Sequence, residues 1–142
     1  MKRLLIPAAL LIVFSLSAPL RAQSKESLKI IFHVDSPDVR ELEMAFHNAH
    51  SVEMHAGKGD VRMVVVVNGP AVKFLLKGNN SGIDRQVHRL VSTGEVSFHV
   101  CETSLKAFHY KTTDVLGDCV IVPAGVIDIA DLEASGYAYI KP

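Results

Sequence analysis

The sequence predicts an α/β fold of three layers, in which a mostly parallel sheet of about five strands carries helices on both faces. Short apolar runs rich in β-branched residues alternate along the chain with segments whose apolar residues recur at helical spacing. Each connecting segment is long enough to return the chain for parallel pairing. The run 61–67 is apolar on successive residues, which is typical of a central strand buried on both faces.

Residues 28–34 form the first predicted strand, and a helix start follows directly. We expect Ser36 to cap the free amides of this helix and Pro37 to occupy its first position. The helix should run from about residue 38 to residue 55. One set of apolar residues repeats there at helical spacing and predicts its buried face: Val39, Leu42, Ala45, Phe46, Ala49 and Val52.

The remaining elements continue the alternation. After the strand 61–67 and a turn at 68–70, the remaining elements are predicted from the spacing of apolar residues and from glycines that end helices. In chain order they are a short helix 71–76, a helix 83–92, a strand 95–101, a helix from 102 or 103 to about 110, a strand 119–122, a helix 127–134 and a strand 137–140.

The first 22 residues are predicted to be a secretory signal. Lys2 and Arg3 precede an apolar run, residues 4–18, that is too short for a typical membrane-spanning helix. Small residues then offer cleavage after Ala22, with Ala18 as an alternative. An uncleaved membrane anchor is the competing interpretation.

Cleavage leaves one domain, residues 23–142, with no stable membrane span. This part of the chain is long enough for a single core and too short for two ordinary domains. We expect it to be periplasmic or secreted.

The charge balance argues against nucleic acid as a partner. The whole chain has 15 basic and 15 acidic residues. Without Lys2, Arg3 and Arg21, twelve basic residues face fifteen acidic ones, a formal charge of −3. There is no basic patch to follow a phosphate backbone.

The chain has two cysteines, Cys101 and Cys119, and in an exported protein a pair suggests a disulfide. The predicted strands argue against that bond. Cys101 ends one strand and Cys119 begins the next, which places them at opposite edges of a parallel sheet. A strand of four or five residues spans roughly 13–17 Å, whereas a disulfide needs α-carbons roughly 4.4–6.8 Å apart. We therefore predict that both thiols are free.

Ligands in such sheets bind at the carboxyl ends of the strands, and this rule selects the candidate site. The residues at or near those ends are His33, Asp35, Asn68, Gly69, Cys101, Ala124 and Gly125. Cys101 is the strong nucleophile among them, and amides at the start of the next helix should lower its pKa, although Glu102 opposes this. His99 should point to the same face of the sheet and could alter the reactivity of the Cys101 thiol. The alternative is a small buried core cysteine.

A polar stripe on the first helix is a weaker candidate site. Glu43, His47, His50 and Met54 fall at spacings that place them on one side of the helix. Imidazole with thioether or carboxylate could hold copper or zinc, but no tight ligand motif is present. We therefore assign no metal ligands and no cofactor.

Three segments resemble one family. Residues 64–76, VVVVNGPAVKFLL, resemble the strand, turn and short helix of DsrE/DsrF-like sulfur-relay proteins. Residues 98–105, FHVCETSL, resemble their strand that ends in cysteine before a helix. Residues 122–142, VPAGVIDIADLEASGYAYIKP, are similar to the carboxyl-terminal pattern of the small YchN-like members.

This resemblance implies a DsrEFH-like fold for residues 23–142 and a homo-oligomer, either a trimer or a hexamer. It also implies that Cys101 carries sulfur as a persulfide and passes it to a partner thiol. The best-known members act in the cytoplasm, and this chain departs from them by its export signal.

Two functional hypotheses result. The first is an exported sulfur-handling protein in which Cys101 exchanges sulfur with a donor or acceptor protein, His33 or His99 modulates the thiol, and Asn68 and Gly69 line the pocket. The second is a non-catalytic, homo-oligomeric module that binds a ligand or metal in the periplasm.

Overall fold

The computed structural model describes residues 27–57 and 59–142. The predicted signal peptide, residues 1–22, lies outside these ranges. Within them, no helix is both long enough and apolar enough to cross a membrane.

Five strands form one sheet in the order β4-β3-β2-β1-β5, and all four neighbouring pairs are parallel. The strands are β1 Leu28–Val34, β2 Val61–Val67, β3 Val96–Cys101, β4 Cys119–Val122 and β5 Ala138–Ile140. The α-helices are α1 Val39–Ala56, α2 Ser81–Ser92, α3 Glu102–Ala107 and α4 Gly125–Ala134. Two 3-10 segments, Gly69–Leu75 and Thr112–Asp114, complete the chain. The predicted fold class is confirmed.

The two faces of the sheet are covered unequally. The larger core lies on one face, where α1, α2 and the 3-10 helix Gly69–Leu75 pack against the strands. The smaller core lies on the other face, where Ile129 of α4 packs against Ile31, Val64 and Val66. Helices therefore lie on both faces, but α4 covers its side of the sheet alone among the described helices.

The central strand follows from its sequence. β2 lies between β1 and β3, and every one of its residues except Arg62 is buried. Because both faces of a central parallel strand are covered, successive apolar residues suit this position. The prediction for 61–67 is confirmed.

The start of α1 corrects one prediction. Asp38, not Ser36, is the N-cap, and its carboxylate accepts a hydrogen bond from the Arg40 amide at 3.0 Å. The Ser36 hydroxyl instead accepts from the Asp38 amide, and Glu41 accepts from the Ser36 amide. Pro37 therefore precedes the cap rather than starting the helix.

The predicted buried face of α1 is confirmed at its centre. Leu42, Ala45, Phe46 and Ala49 are buried, while Val39 and Val52 are partly buried against the same core.

Some predicted boundaries shift by a few residues. α2 begins earlier, because the Asn80 side chain caps the amides of Gly82 and Ile83. α3 ends at Ala107 rather than near residue 110, and His109 adopts a positive φ of 61° just after it. α4 begins at Gly125 rather than 127, which brings the first turn of this helix up to the end of β3.

Candidate functional site

The parallel topology gathers the predicted site residues at one edge of the sheet. Because all five strands run the same way, their carboxyl ends meet there. Asp35 follows β1, Asn68 and Gly69 follow β2, and Cys101 is the last residue of β3. Topology alone therefore places residues from three chain segments in one region.

The side chains of His33, His99 and Cys101 point to the α4 side of the sheet. Ile31 and Val66 pack in the α4 core, so His33 faces the same way two residues after Ile31. Val66 is paired with His99, so the His99 side chain points to the same face of the sheet as Val66. Cys101 points there too, because it lies two residues further along the strand. The sparsely covered face is thus the one that carries the thiol.

Cys101 ends β3 and is the N-cap of α3. Its sulfur accepts a hydrogen bond from the Ser104 amide at 3.4 Å. The Ser104 side chain and the backbone of Gly125 and Thr103 also lower the pKa of the thiol. The residue is buried, with 5% of its surface exposed.

This environment favours the thiolate. Burial raises the pKa of the Cys101 thiol, because a charged sulfur loses solvation. The hydrogen bonds from Ser104, Gly125 and Thr103 act in the opposite direction and outweigh burial, so the pKa lies below its ordinary value. Burial alone, as in an inert core cysteine, would raise this pKa instead.

Gly125 permits the close approach of α4 to the site. A Cβ at this position would lie 3.2 Å from Asn68 Cβ and 3.4 Å from Cys101 Cβ. Both contacts are with short, buried or half-buried side chains that have little room to move. Glycine therefore lets the start of α4 lie directly against Asn68 and Cys101.

A hydrogen-bonded chain runs through His33. Its Nε2 lies 3.0 Å from Asn68 Oδ1, and its Nδ1 lies 2.7 Å from the Tyr139 hydroxyl. Because an amide oxygen only accepts, Nε2 donates, and Nδ1 of the neutral ring accepts from Tyr139. The chain holds Asn68 in place against Gly125.

A group of charged residues lies at the same strand ends. Lys141 pairs with Asp35 and, at 2.5 Å, with Glu41. The hydrogen bond from Lys141 holds the pKa of Asp35 below its ordinary value, although burial opposes this. These contacts tie the end of the chain to the β1–α1 loop.

Gly69 links the turn after β2 to α3. It has a φ of 54°, and a Cβ there would lie 3.3 Å from the Asp35 carbonyl oxygen. Its amide donates to the Ser104 hydroxyl oxygen at 2.8 Å.

Comparison with known proteins supports one family. The model of the DsrE/DsrF-like family matches residues 29–142. This chain belongs to the DsrE/DsrF-like family. No curated protein matches it.

Several solved structures share the fold of this DsrE-like chain. A protein of unknown function, MTH1491 from Methanobacterium thermoautotrophicum, is 26% identical with a TM-score of 0.74, and the match covers 82% of this chain and 100% of that one. The ychN protein from E. coli is 14% identical with a TM-score of 0.65, covering 81% and 99%. BT1422 from Bacteroides thetaiotaomicron, a conserved protein of unknown function, is 13% identical with a TM-score of 0.62, covering 80% and 94%.

His99 shares the sheet face of Cys101 but makes other contacts. Its Nδ1 lies 2.8 Å from Asp128 of α4, and its Nε2 lies 3.4 Å from the Ser97 hydroxyl. A cavity of about 210 Å³ adjoins this pair, lined by Val122, Pro123, Ala124, Ile127, Asp128 and Asp131. His99 therefore contacts α4, whereas Gly125 lies against Asn68 and Cys101. His33 contacts Asn68, and the Gly69 amide contacts Ser104.

Cys119 is separated from Cys101 by the register of the sheet. It is paired with Phe98, three residues before Cys101, and both cysteines are free. The geometric argument against a disulfide is confirmed. Burial, with a smaller effect from Asp118, raises the pKa of Cys119 to about 12.

The polar stripe on α1 lies at the surface of this DsrE-like domain. Glu43, His47, His50 and Met54 are all exposed, and His50 lies 3.6 Å from Glu53 rather than against another stripe residue. In residues 27–57 and 59–142, no group of three or more histidine, cysteine or acidic side chains is placed to hold a metal ion.

Sequence reasoning missed four residues around the site: Ser104, Asp128, Tyr139 and Lys141. For Ser104 a signal existed, because a residue three positions after an N-cap presents its amide to the capping side chain. Asp128 is placed by the packing of α4. Tyr139 and Lys141 arrive through the pairing of β5 with β1, a contact that no local pattern encodes.

Proposed function

We propose that this DsrE-like protein is exported and handles sulfur, with Cys101 as the persulfide carrier. One observation carries the proposal: the Cys101 sulfur caps α3, accepts a hydrogen bond from the Ser104 amide at 3.4 Å, and belongs to a thiol whose pKa is lowered. A thiolate is the reactive form of cysteine, and such donors stabilise it. Membership of the DsrE/DsrF-like family agrees with sulfur relay.

The loading step conserves atoms and electrons. The Cys101 thiolate attacks the outer sulfur of a donor persulfide, R–S–SH. A bond forms between Cys101 Sγ and that sulfur, the donor S–S bond breaks, and its electron pair leaves with the donor thiolate. The proton stays with the transferred sulfur, so no separate oxidant or reductant takes part.

The unloading step is the same reaction in reverse. An acceptor thiolate attacks the outer sulfur, and Cys101 leaves as a thiolate. Amides that stabilise this thiolate also make it a better leaving group. His33, Asp35, Asn68, Gly69 and Gly125 form the surroundings in which donor or acceptor is received, and Asn68 and Gly125 are the residues in contact near the sulfur.

Export is the second part of the proposal. Residues 1–22 act as the signal, and the mature protein, residues 23–142, works in the periplasm or outside the cell. Amino-terminal sequencing of protein recovered from that compartment tests this. A first residue of Gln23 supports export, and an intact Met1 contradicts it.

Self-association is the third part, as a trimer or hexamer. We propose that a second copy of the chain covers the α4 face, because α4 is the only helix on that face within residues 27–57 and 59–142 and leaves apolar side chains in solvent. Val126 is 66% exposed, Ile127 61% and Val120 50%. Exposed apolar groups close together mark interaction surfaces.

Molecular mass in solution tests the self-association. Ile127→Glu is expected to dissociate the oligomer. Met44→Glu is the matched control, because Met44 is 49% exposed on α1, in the opposite layer. A monomeric unsubstituted protein, or an oligomer that Ile127→Glu leaves intact, contradicts the proposed surface.

Mass spectrometry after incubation with a sulfane sulfur donor tests the carrier. The peptide that contains Cys101 should gain the mass of one sulfur atom, and subsequent reduction should remove it. Cys101→Ser should abolish the gain and Cys119→Ser should leave it unchanged. Absence of added sulfur on Cys101 counts against sulfur transfer, and full biological activity of Cys101→Ser favours the non-catalytic binding module.

A further inference from the structure

Asn68 lies at the N-cap of the 3-10 helix Gly69–Leu75 but does not cap it. Asparagine is among the residues best suited to capping, because its side-chain oxygen can accept from the amides of the first turn. Here that oxygen, Oδ1, lies 3.0 Å from His33 Nε2 and accepts from it. The Asn68 side chain is therefore turned away from its own helix and held by a residue of β1.

The contact with His33 determines which end of the Asn68 amide faces the thiol. Oδ1 is engaged by the imidazole, so the Nδ2 donor lies on the other side of the amide group. Nδ2 lies 3.5 Å from the position that a Cβ on Gly125 would occupy, and Cys101 Cβ lies 3.4 Å from the same position. The amide donor and the thiol thus border one space, which Gly125 leaves open.

The Nδ2 group of Asn68 is a donor without a protein acceptor. Across the part of the chain that the structure describes, residues 27–57 and 59–142, the Asn68 side chain hydrogen-bonds only with His33. It makes no hydrogen bond to the Cys101 sulfur, so Nδ2 is free for an atom that is attached to that sulfur. Asn68 is half-buried, which leaves the donor within reach of a ligand.

We propose that Asn68 recognises the group bound to the Cys101 sulfur, by donating a hydrogen bond from Nδ2 to its outer atom. This inference rests on the proposed function and deepens it, since the outer atom of a persulfide is the sulfur that is transferred. After that sulfur has released its proton to solvent it is an anionic acceptor. Hydrogen bonds to charged groups are about twice as strong as those between neutral groups.

His33 and Tyr139 are positioning residues in this arrangement. The Tyr139 hydroxyl donates to His33 Nδ1 at 2.7 Å, so the hydrogen of the neutral ring is on Nε2. An Nε2–H needs an acceptor, and Asn68 Oδ1 is that acceptor. Without the hydroxyl the ring can carry its hydrogen on Nδ1, and the Asn68 amide can then rotate to present oxygen to the thiol.

Methyl methanethiosulfonate is a probe that needs no sulfur donor. The Cys101 thiolate attacks its sulfenyl sulfur, an S–S bond forms, and methanesulfinate leaves with the electron pair of the broken bond. The product is a methyl disulfide, whose outer sulfur occupies the place of a persulfide's outer sulfur. Full-length Cys119→Ser protein is used, so that Cys101 is the remaining thiol.

The first readout is the nitrogen–proton NMR spectrum before and after this modification. The side-chain amide signals of Asn68 should move downfield, because Nδ2 gains an acceptor. The side-chain amide of Asn48, on α1 in the opposite layer, is the internal control and should not move.

The second readout is the rate of modification. Asn68→Leu removes the donor at nearly constant shape and should slow the reaction of Cys101 about fivefold, as expected for the loss of one hydrogen bond. Alkylation of Cys101 by iodoacetamide across pH should keep the midpoint of its pH profile in this variant, because Nδ2 does not bond to the thiolate itself. A shifted midpoint would place the effect of Asn68 on the thiol rather than on the bound group, and overturns the inference.

The two tyrosines near β5 form a matched pair for the positioning role. Tyr139→Phe removes the hydroxyl that contacts His33 and should slow the modification of Cys101, by less than Asn68→Leu does. Tyr137 contacts Lys29 instead, so Tyr137→Phe should leave the rate unchanged.

An Asn68 signal that stays in place, or equal rates in folded Asn68→Leu and the original protein, overturns the inference. A Cys101 that the reagent does not modify overturns it as well, because no outer sulfur then fits beside Asn68. If Asn68→Leu does not fold, the spectra and the tyrosine pair decide, and equal rates in that pair count against it. If a sulfane sulfur donor fails to load Cys101 while the signal moves, the proposed function is rejected and the role of Asn68 stands.

Discussion

The two cysteines lie on neighbouring strands, yet the sheet gives them opposite chemistry. Cys101 is at the carboxyl end of β3, where hydrogen bonds outweigh burial and lower the pKa of its thiol. Cys119 is at the amino end of β4, where burial and Asp118 raise the pKa of its thiol to about 12. Hydrogen bonds lower the pKa at Cys101, whereas burial and Asp118 both raise it at Cys119.

This difference shows what the carboxyl edge of the sheet contributes. There the chain turns into α3, and α4 begins beside it, so the first turns of two helices lie near one side chain. At the other edge Cys119 packs against the main core, where such donors would be costly to bury. Position in the fold, rather than residue type, decides which thiol can react.

The largest expected effect is a difference in alkylation rate between the two thiols. At about pH 7.5, Cys101 should react with iodoacetamide at least roughly tenfold faster than Cys119, even though a lower pKa reduces intrinsic nucleophilicity. Peptide mass spectrometry of briefly treated protein measures both rates in one sample. Comparable rates at the two sites would remove the comparison on which the site assignment rests.

A smaller effect is expected from filling the space at Gly125. In Gly125→Ala the new methyl group meets Asn68 and Cys101 at 3.2 and 3.4 Å and should push the α4 amide away from the sulfur. Crowding of this kind costs about 1–3 kcal/mol, while alanine in place of glycine in a helix returns about 0.5–1 kcal/mol. We expect a net loss of about 1 kcal/mol in the free energy of unfolding, together with slower alkylation of Cys101.

Gly117→Ala is the control for that experiment. A Cβ at Gly117 would have no neighbour within 4 Å, so the variant should stay within about 0.5 kcal/mol of the original protein. Urea denaturation measures both variants. Equal stability of the two would show that α4 does not approach the site as closely as described.

The smallest effect is expected at Lys141, and it separates ion pairs from the amides around the sulfur. Lys141 lowers the pKa of Asp35, so the pair stabilises the fold above the unfolded pKa of aspartate and loses that contribution as pH falls through the lower folded value. The two side chains are 39% and 45% exposed, so solvent weakens the pair. Lys141→Met should cost about 0.5 kcal/mol at pH 7 and much less at an acid pH well below 3.8, the ordinary pKa of the Asp35 carboxyl.

The alkylation profile of Cys101 should be the same in Lys141→Met as in the original protein. A shifted midpoint would mean that charge at the β1 end, and not only hydrogen bonding, sets the acidity of the thiol. Urea denaturation at neutral and at acid pH measures the free energy of unfolding of both proteins.

Much of the fold could be predicted from local patterns. The bounds of β1, β2 and β4 follow from runs of β-branched residues, and the buried face of α1 follows from helical spacing. The helix starts were harder to predict, because several side chains compete to cap the same amides. At α1, Asp38 and Glu41 together took the place expected for Ser36.

The candidate site could be predicted only in part. The strand-end rule selected Cys101, His33, Asn68, Gly69 and Gly125 because it depends on topology, which alternating strands and helices indicate well. His99 was added because it shares the sheet face of Cys101, and the structure shows that its imidazole contacts Asp128.

What the amino-acid sequence determined by itself was the alternation of strands and helices, the family and the candidate nucleophile, because each of these depends on neighbours along the chain. Tertiary structure decided which donors reach the sulfur. Ser104 acquires its Gly69 partner 35 positions away, and Tyr139 meets His33 across 106 positions. Contacts over such separations form only when the strands pair and α4 docks, so no local pattern records them.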